Sequence, residues 1–160
     1  MFYIAVVGSS QCGPALASLA EEVGEEIARR SSVLVCGGGG GVMESAARGA
    51  RKQGGMVLGI LPGKDPREGN SFLTLAVATG LGEARNAIIA RTADALIAVG
   101  GEYGTLSEIA LALKMGKPVV GLKTWEINPP YKLDTGIVLY NTAAAAVDAA
   151  CSAARAALQY

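Results

Sequence analysis

The sequence predicts a doubly wound α/β domain, in which a mostly parallel sheet of about six to seven strands carries helices on both faces. Short apolar runs alternate with helix-like segments along the whole chain. The runs are apolar at consecutive positions, as expected for strands that are covered on both faces. Several of them end in glycine-rich turns that lead directly into helices. The 160 residues, 51% of them hydrophobic, suit a single Rossmann-like domain spanning 1–160.

The strands are predicted from short runs rich in Val, Ile and Leu, which pack well in a pleated sheet. Glycine and proline mark the ends of several runs, for example at Pro62-Gly63. In chain order, the predicted strands are Phe2–Val7, Val33–Val35, Met56–Leu61, Phe72–Ala78, Ala95–Val99, Pro118–Leu122 and Gly136–Tyr140.

The helices are predicted from apolar residues spaced three and four apart, and from their end signals. Gly116 and Pro118 end the fourth helix, as C-terminal glycine and proline commonly do. The predicted helices are Pro14–Arg30, Val42–Gln53, Gly82–Thr92, Thr105–Met115 and Thr142–Leu158. Residues 64–70 are charged and predicted as a loop. Residues 124–134 are irregular, and their Trp125 and Tyr131 could serve a lid, an interface or a packed loop.

Composition narrows the classes of function. The 14 basic residues balance the 14 acidic ones, so a nucleic-acid partner is not expected. The chain has no histidine, which removes the commonest general base, the Ser-His-Asp triad and most zinc sites; no metal site is expected. Cys12, Cys36 and Cys151 are scattered, which fits inert thiols in a reducing cytoplasm. No apolar run has membrane-spanning length, and the first run is predicted to be a strand and not a signal peptide.

The turns after the strands carry the candidate binding residues. Right-handed crossovers bring the carboxyl ends of parallel strands to one edge of the sheet, where such folds bind ligands. Backbone N–H groups at helix N-termini favour phosphate or carboxylate there. The candidate residues in these turns are Gly8, Ser9, Ser10, Gly37, Gly38, Gly39, Gly40, Gly41, Gly100, Gly101, Gly104 and Thr105.

Each turn also has a purely structural interpretation. Ser9 and Ser10 could donate to phosphate or cap the first helix. The run 37–41 could be a tight turn, although its backbone entropy cost favours a ligand cradle. Thr105 and Glu108 have the spacing of a capping box, which is compatible with ligand binding by the neighbouring glycines.

Arg85 and Asn86 are further candidates, on the helix that follows Gly82. A basic residue near a helix start opposes the helix dipole, so a stabilising role there is poor. A guanidinium offered bidentately to phosphate or carboxylate is the better interpretation, with a surface arginine as the alternative. Asn86 could bind the same ligand or face solvent.

The order of these motifs resembles the Rossmann-type Lonely guy (LOG) superfamily. It comprises LOG enzymes, proteins labelled "possible lysine decarboxylase" and the molybdenum cofactor carrier proteins. The resemblance spans nearly the whole chain. It is strongest to the carrier-like branch, through Gly-Val-Met-Glu at 41–44 and Glu-Ala-Arg-Asn at 83–86. The decarboxylase label fails because no motif for a pyridoxal Schiff-base lysine is present.

LOG enzymes hydrolyse the N-glycosidic bond of nucleoside 5′-monophosphates. Their signature is Pro-Gly-Gly-x-Gly-Thr-x-x-Glu, preceded by an Arg-Lys pair. The resemblance places Arg85 and Glu108 at the catalytic positions, and Gly101, Gly104 and Thr105 match the signature. Gly100 replaces its proline, Glu102 its second glycine, and Asn86 the lysine that follows the arginine.

Two functions follow. The favoured one is binding of a nucleotide or phosphorylated pterin-like cofactor, with no other cofactor required. The alternative is LOG-type phosphoribohydrolase activity. Apolar helices, and the relatives' assembly, lead us to expect a homodimer or homotetramer.

Overall fold

The structure, a computed structural model, describes residues 1–129 and 136–158. Its strands are β1 (Tyr3–Gly8), β2 (Val33–Cys36), β3 (Val57–Leu61), β4 (Leu75–Ala78), β5 (Ala95–Val99), β6 (Val119–Leu122) and β7 (Ile137–Leu139). Its α-helices are α1 (Pro14–Arg29), α2 (Val42–Lys52), α3 (Asn86–Thr92), α4 (Tyr103–Lys114) and α5 (Ala143–Ala157). Tyr131, with the rest of 130–135, lies outside the described residues.

The seven strands of the described residues form one parallel sheet in the order β4-β3-β2-β1-β5-β6-β7. The predicted fold class is therefore confirmed. The chain winds outward from β1 through β2 and β3 to β4, and then returns to place β5 on the other side of β1. The ends of these two central strands lie side by side, since Gly8 is the register partner of Val99. This reversal of winding is where doubly wound sheets bind ligands.

Two apolar layers cover the sheet. Helices α1, α2 and α5 bury their apolar faces on one side, and α3 and α4 on the other. Successive residues of β1 point to opposite layers: Ile4 and Val6 to the first, Ala5 and Val7 to the second. This arrangement explains why the strands are apolar at consecutive positions. None of the described helices is both long and apolar enough to cross a bilayer.

The contact between α1 and α2 is unusually close. A Cβ atom at Gly24 would lie 1.9 Å from the carbonyl oxygen of Ala46, and one at Gly49 would lie 1.9 Å from that of Glu21. The two helix backbones therefore touch at two glycines, one on each helix. Glu21 also pairs with Arg48 and Lys52 across this contact. The position of α2, and of the turn that precedes it, depends on this packing.

Two predicted helix starts are wrong. The predicted helix Gly82–Thr92 is divided into a 3₁₀ turn, Gly82–Arg85, and α3. Helix α4 begins two residues earlier than predicted, because Glu102 is already extended and acts as its N-cap. The loop predicted at 64–70 contains one 3₁₀ turn, Pro66–Glu68.

Candidate functional site

A polar cavity of about 180 Å³ lies at the carboxyl edge of the sheet, between the ends of β1 and β5. The turns after β1 and β5 converge on it, together with the first turns of α2 and α4 and the residues 85–86 at the start of α3. It is lined by Gly8, Ser9, Ser10, Met43, Arg85, Asn86, Glu102, Gly104, Thr105 and Glu108.

A larger cavity of about 410 Å³ adjoins it and shares Arg85, Asn86 and Gly104 with it. Its other lining residues are Pro62, Gly82, Glu83, Tyr103 and Ser107. Its volume lies in the range of about 300–1,000 Å³ that is common for small-molecule sites. The two cavities form one cleft with Arg85 in the common wall.

The turn after β5 is shaped by two glycines with positive φ. Gly100 has a φ of 57°, and Gly101 a φ of 111°. A Cβ at Gly101 would lie 2.4 Å from the side chain of Thr105, so a larger residue does not fit there. Gly104 and Thr105, in the first turn of α4, line the cleft, and the first N–H groups of an α-helix have no partner within the helix.

The predicted capping box is not formed. Thr105 lies inside the first turn of α4 and is buried, and the N-cap is Glu102, which makes no side-chain capping hydrogen bond. Glu108 is therefore one turn deeper in the helix than that motif requires. Capping of α1 by Ser9 or Ser10 is also wrong, because its N-cap is Gly13 with Pro14 next.

The glycine run 37–41 packs against protein atoms around the cleft. A Cβ at Gly37 would lie 2.7 Å from Nη1 of Arg85, and one at Gly38 2.4 Å from Cδ2 of Leu61. At Gly41, where φ is 61°, it would lie 2.3 Å from the carbonyl oxygen of Ser9. The same oxygen accepts a 3.0 Å hydrogen bond from the N–H of Val42. Close packing thus accounts for these three glycines.

Gly39 and Gly40 complete the run. A Cβ at Gly39 would lie 2.9 Å from Cε of Met43, and one at Gly40 3.2 Å from the carbonyl oxygen of Ser10. Asn70 donates through Nδ2 to the carbonyl oxygen of Gly39 at 2.9 Å. None of these five glycines lines the polar cavity, which Met43 in the first turn of α2 reaches instead. Contact of the run with a ligand stays a prediction.

The side chain of Arg85 contacts the carboxyl ends of β2 and β3. Its Nη1 donates to the carbonyl oxygens of Gly37 and Ile60, both at 2.6 Å, and its Nε donates to Oδ1 of Asn86 at 3.0 Å. These bonds fix the guanidinium between β2 and β3. Burial lowers the pKa of Arg85, and the nearby Glu108 partly offsets that effect. The residue is a rigid cation in the wall of the cleft, and Asn86 is buried beside it instead of facing solvent.

Glu108 is the buried carboxyl group of the cleft, with 7% of its surface exposed. Burial raises its pKa to about 7, although the positive charge of Arg85 acts in the opposite direction. A carboxyl group with this pKa can hold or release a proton near neutral pH, and such groups are common in functional sites. Glu102, also in the cavity wall, is exposed.

Cys36 and Cys12 take no part in this lining. Cys36 is fully buried at the end of β2, and burial raises the pKa of its thiol to about 11. An inert thiol, as the sequence indicated, fits this environment.

Sequence reasoning missed several lining residues. Tyr103 and Ser107 lie inside the Gly100–Glu108 motif, so their position could have suggested them. Glu83 belongs to the Glu-Ala-Arg-Asn motif at 83–86, whereas Pro62 lies outside any recognised motif and is brought in by the fold. The sequence does not decide the role of Trp125, and in the structure its ring lies against the ring of Tyr103.

These features define an α/β protein with a cleft at the winding reversal of its sheet, and the comparisons with known proteins agree with this fold. Residues 1–150 match the model of the SLOG cluster4 family, and the chain belongs to this family. An uncharacterized protein of Archaeoglobus fulgidus is 45% identical over 148 residues, which cover 92% of this chain and 93% of that protein.

Solved structures resemble this one over nearly its whole length. The molybdenum cofactor binding protein of Rippkaea orientalis has a TM-score of 0.80 and 32% identity, and the match covers 99% of this chain and 97% of that one. The molybdenum cofactor carrier protein of Chlamydomonas reinhardtii has a TM-score of 0.80 and 34% identity, with 94% and 96% covered.

A more distant match connects the chain to LOG enzymes. The probable cytokinin riboside 5′-monophosphate phosphoribohydrolase LOGL9 of rice, Oryza sativa subsp. japonica, is 37% identical over 95 residues. The match covers 56% of this chain and 41% of the rice protein. The resemblance to the LOG superfamily and to its carrier branch is confirmed.

Proposed function

We propose that this protein binds a small molecule carrying a phosphate group, either a nucleotide or a phosphorylated pterin-like cofactor, and holds it without cleaving it. The observation that supports this most is the position of Arg85 in the wall common to both cavities. The anionic end of a ligand would lie near the guanidinium and the first N–H groups of α4. The larger cavity would take the rest of the molecule.

The similarity to two molybdenum cofactor proteins over nearly the whole chain supports the same proposal. A molybdenum cofactor would be cargo here. The residues of the cleft suit its phosphate through Arg85, Ser9 and Ser10, and its ring system through the larger cavity.

Three features favour holding over hydrolysis. Glu102 brings a carboxylate to the wall of the polar cavity. Asn86 is neutral where the LOG pattern has lysine. Nη1 of Arg85 is already bonded to two backbone carbonyl groups, so fewer of its donors remain for a substrate. Together these features depart from the way in which the LOG pattern holds the 5′-phosphate of its substrate for cleavage.

Phosphoribohydrolase activity is the second candidate, and Glu108 is the observation that favours it. A buried carboxyl group with a pKa of about 7 is suited to acid-base work on a glycosidic bond. In this alternative, Glu108 would activate water or stabilise charge on the sugar, and Arg85 would orient the phosphate.

One experiment separates the candidates. The wild-type protein is incubated with AMP, GMP, CMP and UMP; its thermal unfolding is followed, and free base is sought by chromatography. We expect a raised melting temperature, since a ligand at 100 times its Kd stabilises by about 2.7 kcal/mol, and no released base.

Arg85→Gln is expected to abolish the stabilisation, and Arg91→Gln, which changes an exposed arginine on α3, is the matched control. Base release that disappears in Glu108→Gln would establish the hydrolase instead. Absence of both stabilisation and release would refute the hydrolase and the binding of nucleotides.

A further inference from the structure

Tyr103 stands out because a large aromatic side chain is left exposed in the wall of the cleft. It is the first residue of α4, lines the larger cavity and has 81% of its surface exposed. Exposed aromatic groups in concave sites commonly contact ligands, since they offer a flat apolar face with little conformational entropy to lose.

The ring of Tyr103 is supported from one side by Trp125. Their ring centroids are 5.7 Å apart, with an angle of 39° between the ring planes. Nε1 of Trp125 donates to the carbonyl oxygen of Glu102 at 3.2 Å. Oγ1 of Thr124 donates to the carbonyl oxygen of Gly100 at 2.5 Å. The segment that bears the tryptophan is thus anchored twice to the turn before α4, with the indole ring against the ring of Tyr103.

Tyr103 and the Arg85 side of the cleft line the same cavity. Tyr103 directly precedes Gly104, which lines both cavities, and Arg85 and Asn86 lie in the wall of both as well. A ligand whose phosphate contacts the Arg85 side of the cleft can therefore extend its other end along the larger cavity to Tyr103.

We propose that Tyr103, supported by Trp125, is the stacking surface for an aromatic heterocycle of the ligand, and that it provides the preference for ligands with such a ring. This inference rests on the proposed binding function. The polar cavity would recognise the phosphate, and the tyrosine would recognise the flat ring. Ligands that carry phosphate but no aromatic ring would bind through the polar cavity alone.

The test compares GMP and AMP with ribose 5-phosphate, which lacks the base. Affinities are measured by calorimetry for the wild type, Tyr103→Phe and Tyr103→Ala. Tyr3→Ala, which removes a 39% exposed tyrosine at the opposite edge of the sheet, is the matched control. Circular dichroism verifies that each variant is folded.

We expect Tyr103→Ala to weaken GMP and AMP about tenfold, as loss of one base–aromatic stack does, with ribose 5-phosphate unchanged. Tyr103→Phe keeps the ring and should keep the affinity. Trp125 is the only tryptophan of the chain, so its fluorescence is a second readout. GMP should alter it in the wild type, and ribose 5-phosphate should not.

Equal affinity of Tyr103→Ala and the wild type for GMP and AMP would overturn the inference while leaving the binding function intact. An equal loss for all three ligands would also overturn it, since Tyr103 would then only support the turn. If the wild type binds none of the three ligands, the proposed nucleotide binding fails, and the stacking surface for a nucleotide base fails with it. If it binds the nucleotides no better than ribose 5-phosphate, the stacking surface alone is refuted.

Discussion

Replacing Glu108 by glutamine should stabilise the protein at neutral and alkaline pH, although the residue lies in the core of the cleft. Glutamine has nearly the same shape but no ionisable group. In the wild type, burial raises the pKa of this carboxyl group from 4.5 to about 7. Between these two pKa values, the folded protein therefore keeps a proton that the unfolded chain has released. At higher pH the folded protein has to bury a carboxylate, which lowers the free energy of unfolding.

The size of this effect follows from the two pKa values. Each tenfold change in an acidity constant is worth about 1.4 kcal/mol, so the penalty for ionised Glu108 reaches at most about 3–4 kcal/mol. Because folding raises the pKa of this carboxyl group, its ionisation at higher pH reduces the stability of the protein. Below about pH 4.5 both states are protonated and the penalty is absent; it grows as the pH rises and is complete above about pH 8.

Urea unfolding of the wild type and of Glu108→Gln between about pH 5 and pH 9 measures this difference. Glu22→Gln, which changes an exposed glutamate on α1, is the matched control. We expect the stability gain of Glu108→Gln to increase with pH and the control to show no such increase. A gain that is constant with pH, or a loss of stability at pH 8, would refute the assignment of Glu108 as a buried acid.

Three further predictions concern packing and reactivity. Gly24→Ala should lower the free energy of unfolding by at least about 2 kcal/mol, because its Cβ would lie 1.9 Å from a backbone oxygen of α2. The control Gly13→Ala, which has open space around it, should cost less than about 1 kcal/mol. Similar costs for the two variants in urea unfolding would contradict the close contact. Arg85→Ala should lower the free energy of unfolding by about 1–3 kcal/mol even without ligand, because two backbone carbonyl groups lose their donor. Thermal unfolding measures this loss, and the control variant Arg91→Ala should show none. In thiol titration with a disulfide reagent at neutral pH, the partly exposed Cys12 should react first and Cys36, buried and with a pKa of about 11, only on unfolding; early labelling of Cys36 would indicate an open site.

Much of the fold could be predicted because strand patterns and crossover rules are largely local. Continuous apolar runs such as Ala95–Val99 locate strands, and handedness then brings their carboxyl ends to one edge. The convergence of Ser9, Arg85 and Gly104 on one cavity was predictable for this reason.

The details of the cleft were not predictable, because they depend on contacts between distant segments. Thr105 and Glu108 have capping-box spacing, but the extended backbone of Glu102 starts the helix earlier. The run 37–41 suggested a ligand cradle, yet Leu61 at the end of β3 and Ser9 after β1 occupy the space that side chains there would need. Nothing local indicates that Arg85 donates to carbonyl groups of two other strand ends.

A crystal structure of the protein with GMP would test the central proposal most directly. We expect the phosphate within hydrogen-bonding distance of the Arg85 guanidinium and of the backbone N–H groups at Gly104 and Thr105. Its base should lie on the Tyr103 side. GMP bound elsewhere, for example in the cavity of about 380 Å³ between β6, β7 and α5, with this cleft left empty, would contradict the account.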